Sequence, residues 1–303
     1  MNYGETFQTI RKNKGLTLNE VSGTTISTAQ LSRFENGKTM LTVDQFFICL
    51  EKMNTTIEEF QFMQKHTWRE TYGEAVLEIE TLANKGDISG LLSASKNYFS
   101  KSQKQYDWDY FFGCFFENIA IFHEKETRSQ LRYVEELTHF FLKSEQWGEM
   151  ELRVFGMFLF VFDGETTNYL LQIALKRGKF YQALSKDRRL FYCLLNNCFS
   201  VFIFHKKFED ARKVLQLLEQ ETNEKNDLLF PQINFLFNKG IISFVDGDVE
   251  KATTYCNQAI SICHIFHQKQ QAAIFSRRLN MWHTEQDKEE FAELVLELSY
   301  LLD

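Results

Sequence analysis

A single proline, Pro231, serves all 303 residues. A chain so poor in the residue that breaks regular structure is not built from turns and short strands. It predicts helix joined to helix by short connections. The six cysteines (Cys49, Cys114, Cys193, Cys198, Cys256, Cys263) form no CxxC pair and no framework spacing. They read as reduced, mostly buried thiols of an intracellular protein. Long apolar runs are also missing: the longest, Val154–Phe162, is nine residues with a glycine inside it, against the ~20 that cross a bilayer. No basic-then-apolar signal pattern opens the chain. These absences predict a soluble, cytoplasmic protein without a membrane partner. Catalytic signatures fail as well, since no GxGxxG, P-loop, HExxH or GxSxG occurs. The carboxylate pairs Glu58–Glu59 and Glu289–Glu290 sit on polar helix faces, so no enzyme is expected. His264 and His267, beside Cys263, have no second pair to complete a ligand set, so neither metal nor cofactor is expected.

What is present is apolar bulk: 44% hydrophobic residues, 15% aromatic, with 31 phenylalanines. That composition and length suit a large interior in two domains. The net charge of −7 excludes wholesale attraction to polyanions. Yet residues 1–38 carry Arg11, Lys12, Lys14, Arg33 and Lys38 against Glu5, Glu20 and Glu35, a local excess of two positive charges. A small basic head on an acidic body fits local phosphate contact.

The head, expected over residues 1–65, divides into short helices. "GETFQTIRKNKG" puts Phe7 and Ile10 on one face and closes at Gly15. Thr17 then reads as an N-cap, Glu20 completes a capping box, and Gly23 ends the second helix. After the turn "TTI", Ser27 caps "TAQLSRFENG". Leu31 and Phe34 face inward there, leaving Thr28, Gln30, Ser32 and Arg33 outside. "TVDQFFICLEKMN" and "TIEEFQFM" add two amphipathic helices. Short helix, tight turn and a second helix opening on small polar residues is a helix-turn-helix layout, whose second helix enters the major groove. Gln30 can read adenine and Arg33 guanine in bidentate fashion. Thr28, Ser32 and Lys38 suit phosphates. The full expected contact set is Arg11, Thr17, Thr28, Ala29, Gln30, Ser32, Arg33 and Lys38. The same bundle could instead serve only protein contacts or dimerisation.

"RKNKGLTLNEVSGTTISTAQLSRFENGK" resembles the helix-turn-helix of the Cro/phage-repressor (XRE) family, from the KGLT turn to the SRFENGK ending. The resemblance implies double-stranded promoter DNA as a partner. It also offers Glu35 or a phosphate, besides a base, as the partner of Arg33.

From residue 66 to 303 the pattern changes to long helical stretches that repeat. "LLNNCFSVFIFHKKFEDARKVLQLL" overlays "FLFNKGIISFVDGDVEKATTYCNQA" at an offset of 41, setting Asn197 on Asn238 and Ala211 on Ala252. "FGMFLFVF" lies 42 residues before "NCFSVFIF", "FFENIAIF" is a weaker copy, and "RRLNMWHTEQDKEEFAEL" puts Asn280 42 residues after Asn238. The segment Asn238–Gly240–Gly247–Asp248–Ala252 is similar to the tetratricopeptide (TPR) consensus. Four to five helix pairs would stack into a superhelix whose first helices line a groove. The fold class expected is therefore all-α: an N-terminal helix-turn-helix bundle followed by a TPR-like α-solenoid.

Asn197, Asn238 and Asn280 form a ladder on those first helices, and an amide that both donates and accepts can grip a peptide main chain. Arg153 sits on an apolar helix and needs an anionic or carbonyl partner, from a ligand or from Glu149 or Glu151. Phe155, Phe199 and Phe235 are either groove floor or core, and Lys239 flanks Asn238 in the expected peptide set.

Head and body together resemble the Rgg/MutR regulators of the RRNPP peptide-sensing group. This resemblance implies a homodimer on promoter DNA. It also implies a short imported signalling peptide in the repeat groove, altered DNA affinity or RNA polymerase contact, and Arg153 as the groove arginine. Some members bridge their two heads through a cysteine. Val43 aligns with it here and Cys49 is expected to pack inward, so no such bridge is expected. Two other readings remain open: a constitutive repressor whose repeats only dimerise, and a TPR-type adaptor for a protein partner.

Overall fold

The computed structural model describes residues 2–24, 26–64, 68–123, 130–179, 181, 189–224 and 229–284. Every regular element among them is helical. Close contacts divide the chain into two units, Met1–Leu77 and Glu78–Asp303. The domain boundary expected after residue 65 falls outside the described residues. So do Glu289–Glu290 and the end of the last expected repeat.

The first unit contains α1 (Tyr3–Asn13), α2 (Leu18–Ser22), α3 (Thr28–Glu35), α4 (Val43–Lys52) and α5 (Ile57–Gln64). Local chemistry sets each start. Asn2 with Glu5, Thr17 with Glu20, and Thr42 with Gln45 form capping boxes, while Ser27 accepts the Gln30 N–H at 3.1 Å. These caps satisfy N–H groups that an isolated helix end leaves unpaired, at about 1 kcal/mol each. Gly37 ends α3 with φ of 70°, a conformation that costs glycine nothing. The helices close over Phe7, Ile10, Val21, Leu31, Phe34, Leu50 and Phe60. The Phe7 and Phe34 rings meet edge-on at 5.4 Å, which fixes α3 against α1.

The second unit runs through α6 (Trp68–Asn84, which begins in the first unit), α7 (Ile88–Lys101), α8 (Trp108–His123), α9 (Val134–Lys143) and α10 (Glu149–Phe158). It continues through α11 (Gly164–Arg177), α12 (Arg189–Phe204), α13 (Phe208–Glu224), α14 (Leu229–Val245), α15 (Val249–Ile265) and α16 (Lys269–Thr284). Pro231 lies in the first turn of α14, where its missing N–H breaks no hydrogen bond, and its carbonyl accepts from the Tyr192 hydroxyl.

The α12–α13 and α14–α15 pairs repeat at 41 residues, as the sequence overlay predicts. Lys206 and Gly247 both take left-handed φ in the turns, 57° and 83°. Ala211 and Ala252 are both fully buried in the second helices. Gly240 permits the α14–α15 approach: a Cβ there would lie 2.4 Å from Cys256 Sγ and 2.9 Å from the Ala252 carbonyl oxygen. Much of the phenylalanine is interior. Phe111, Phe115, Phe141, Phe155, Phe158 and Phe162 are all almost fully buried. They contact one another edge-on or tilted at 5–6.5 Å, as in Phe115–Phe158 at 5.4 Å.

Candidate DNA-reading and peptide-binding sites

The helix-turn-helix assembles as expected, with α2 and α3 packed at the turn after Gly23. Thr28, Ala29 and Arg33 are exposed on α3, Ser32 and Gln30 are half-buried, and Lys38 is exposed past its end. Gln30 Nε2 donates to Gln45 Oε1 at 3.1 Å, so α4 orients this side chain. Its carbonyl oxygen and second amide hydrogen have no partner among the described residues; a glutamine amide with an open donor and acceptor is the group that can read adenine in bidentate fashion.

Two members of the expected contact set are engaged elsewhere. Arg11 is buried, not exposed: Nε and NH2 meet the Glu35 carboxylate at 2.6 and 2.7 Å, and NH1 donates to the Leu16 carbonyl at 2.6 Å. Glu35 raises the pKa of Arg11 through its hydrogen bonds. Arg11 therefore braces α1 against α3, and Glu35 belongs to it rather than to Arg33. The sequence places Arg11 in a run of cations; the helix turn places it inward. The Thr17 hydroxyl is held in its capping box, bonded to the Glu20 carboxylate at 2.7 Å. The Thr17 backbone N–H first, and its hydroxyl second, hold the Glu20 carboxyl below its usual pKa, so negative charge stands beside Thr17.

The other head cations are sorted by the fold as well. Lys14 caps the end of α4 at the Met53 and Asn54 carbonyls, Lys52 caps α2 at the Ser22 carbonyl, and Lys12 meets Gln8. Arg33 and Lys38 alone among the described head cations have no protein partner.

In the second unit, Arg153 is half-buried on α10 and pairs with Glu149 one turn away, both contacts at 3.0 Å. Phe155 and Phe199 are core, not groove floor: both are almost fully buried, and Phe155 packs among Phe141, Trp147 and Phe162. The apolar period that makes their helices amphipathic turns these rings inward. Phe235 is half-buried, and Lys239 lies over both its ring and that of Tyr255, at 5.5 and 5.3 Å.

Asn238 is buried and donates to the Oδ1 of Asn196 at 2.8 Å. Asn197, its equivalent in the 41-residue repeat, is half-buried, and Asn280 is exposed. The ladder thus joins Asn238 to Asn196, a residue the overlay passed over although "LLNNC" offered both. A second feature the sequence hid is a clamp on α8. Asn118 holds both backbone groups of Arg132, and Glu117 holds the Arg132 guanidinium and the Tyr133 hydroxyl.

Cys114 and Cys256 are buried, and desolvation pushes each thiol up to about 12, so both stay protonated. Among the described residues no three His, Cys, Asp or Glu side chains converge on a metal position. No described helix is long and apolar enough to cross a membrane.

Comparison with known proteins places this architecture. The family described as HTH-type transcriptional regulator Rgg, C-terminal domain, matches residues 93–277, and a helix-turn-helix family matches residues 7–60. A protein assigned as a transcriptional regulator from Listeria monocytogenes EGD-e is similar over 94% of this chain and 98% of its own, at 24% identity and a TM-score of 0.77. The SHP pheromone receptor Rgg2 of Streptococcus dysgalactiae is similar over 92% and 99%, at 19% identity and a TM-score of 0.72. The PrgX/cCF10 complex is similar over 94% and 93%, at 15% identity and a TM-score of 0.68.

Proposed function

The chain belongs to the Rgg family of helix-turn-helix transcriptional regulators, and from that premise we propose that it binds promoter DNA as a homodimer under the control of a short signalling peptide. The division of labour proposed is a DNA-reading head over residues 1–65 and a peptide-binding, dimerising repeat domain over 66–303. Its setting is the cytoplasm, where an imported peptide and RNA polymerase are both within reach.

The observation that carries the DNA half is the sorting of cations in the head. Buried or capping roles occupy Arg11, Lys14 and Lys52, while Arg33 and Lys38 stay free beside the half-open Gln30 amide. That leaves one adenine reader and one anion-seeking group on α3, with a second anion-seeking group just past its end. The peptide half is supported by likeness to solved pheromone receptors and by polar groups of α10 and α14, the half-buried Arg153 and Lys239 and the buried Asn238. A peptide that binds one arrangement of the two heads better than another shifts the population, and only by its differential affinity.

Selection of sheared genomic DNA on the purified chain tests the DNA half. Enrichment of a few promoters, lost in Gln30→Ala/Arg33→Ala, is the expected result. Equal enrichment by the variant would remove α3 as the reader. Selection with and without culture peptide extract, on wild type and Arg153→Ala, tests the peptide half. A response that survives in the variant would remove Arg153 from the site.

A further inference from the structure

A glutamine amide has two ends of nearly the same shape, one accepting and one donating, so its neighbours decide which way it faces. For Gln30 on α3 the neighbour is Gln45, half-buried in the first turn of α4. Gln45 Oε1 accepts twice, from the Thr42 backbone N–H at 3.3 Å and from Gln30 Nε2 at 3.1 Å. A backbone N–H can only donate, so it holds the oxygen of Gln45 at that point and not the nitrogen. With that oxygen fixed, Gln30 has to turn its nitrogen towards it. The reversed Gln30 amide would set oxygen against oxygen. Polarity thus passes from the N-cap of α4 through Gln45 to Gln30. The Gln30 main chain is fixed as well, its N–H donating to the Ser27 hydroxyl at 3.1 Å. What stays open on Gln30 is one N–H and the oxygen, in a single order.

We propose that Gln45 is a positioning residue for base choice, locking the Gln30 amide in the order that accepts adenine and rejects guanine. Adenine shows an acceptor at N7 beside a donor at N6, whereas guanine shows acceptors at both N7 and O6. The locked amide gives its N–H to N7 and accepts from the N6 amino group. At guanine its oxygen faces O6, and two acceptors oppose each other. A free amide escapes that conflict by turning its N–H towards O6. The lock therefore acts by refusing the wrong base, the repulsive half of specificity. Gln45 does this from another helix, without touching a base. The assignment rests on the reading of α3 as the DNA reader. It adds an α4 residue to a contact set that, read from the sequence, ends at Lys38.

The test is selection from a library of random DNA duplexes by the purified full-length protein, sequenced before and after binding, for wild type and variants. Gln30→Ala identifies the base pair that Gln30 reads, because preference is lost there and kept elsewhere. Wild type is expected to favour A·T over G·C at that pair about tenfold or more. Gln45→Met keeps the length of the side chain and suits a helix. It is expected to bring the ratio to about threefold or less, and to change affinity for random duplex less than about twofold. Gln45→Glu keeps the acceptor, so the ratio returns, while its charge weakens all sequences alike. Thr42→Ala separates positioning from helix capping. It removes the hydroxyl that accepts the Gln45 N–H at 3.4 Å and keeps the backbone N–H that fixes Gln45 Oε1, so the ratio should hold. A wild-type ratio in Gln45→Met, or an equal fall in Thr42→Ala, overturns the lock and leaves Gln30 as the reader. If Gln30→Ala changes no base preference, or wild type enriches no sequence, the reading of Gln30 itself falls, and the lock with it.

Discussion

Replacing Arg11 by methionine separates two roles that its position in the sequence confuses. If Arg11 contacts DNA, Arg11→Met lowers affinity, flattens the salt dependence by about one unit, and leaves the head intact. The structure predicts a different result. The guanidinium donates twice to Glu35, at 2.6 and 2.7 Å, and once to the Leu16 carbonyl, and the two side chains are 9% and 1% exposed. Methionine leaves the Glu35 carboxylate with only the Gln8 amide, at 3.3 Å. Removing one partner of a buried ion pair costs about 3–5 kcal/mol. A unit the size of Met1–Leu77 has roughly 4–12 kcal/mol to lose, at about 0.05–0.15 kcal/mol per residue. The variant's head is then marginal, with melting lowered on the order of 15–30 °C. Hydrogen exchange by mass spectrometry on α1 and α3 reads this directly: protection in both helices falls together, without DNA present. Arg11→Met/Glu35→Leu removes both charges and is expected to recover most of the protection. Full protection in the single variant, together with a reduced salt slope on DNA, would refute the brace and return Arg11 to the DNA.

Lys38→Ala is expected to weaken cognate and random DNA equally and to reduce the salt slope by about one per site; a loss confined to cognate DNA would make Lys38 a base reader. Gly240→Ala forces a Cβ against Cys256 Sγ and the Ala252 carbonyl, and urea unfolding should show a loss of about 1–3 kcal/mol; a neutral result would mean that α14 and α15 separate freely. The thiols set an alkaline limit. Folding holds Cys114 and Cys256 near 12, against an ordinary value of 9.0. The unfolded chain therefore binds fewer protons between those values, and their contribution is complete below pH ~9 and is lost as pH rises beyond it. Urea midpoints that stay flat from pH ~8 to ~10.5 would contradict this, and Cys114→Ala should blunt the fall.

The features that could be read in the sequence are those written within one helical turn. The capping boxes Thr17–Glu20 and Thr42–Gln45, the Ser27 cap and the Gly37 stop each depend on residues three or fewer apart or on one glycine. All-helical architecture follows for the same reason, since the apolar period of each helix is a local property. The repeat could be read at 41 residues even where the turn chemistry differs: Lys206 adopts the left-handed conformation that Gly247 takes in the next pair. Interactions between helices were not legible. Arg11 and Glu35 are 24 residues apart, and Asn196 and Asn238 are 42 apart. The second case shows the physical reason. Equivalence in a repeat and contact between repeats are different relations. Equivalent positions on α12 and α14 differ by 41, but the α12 amide that meets Asn238 comes one position before its equivalent. One residue on a helix is a rotation of about 100°. An overlay correct to a single residue can therefore choose the half-buried Asn197 when the buried, hydrogen-bonded amide is its neighbour. The same rotation separates Lys12, exposed, from Arg11, buried, in the head. The function class lay in local patterns, whereas the pairing of Arg11 with Glu35 and of Asn196 with Asn238 depended on how one helix faces another, which no single helix encodes.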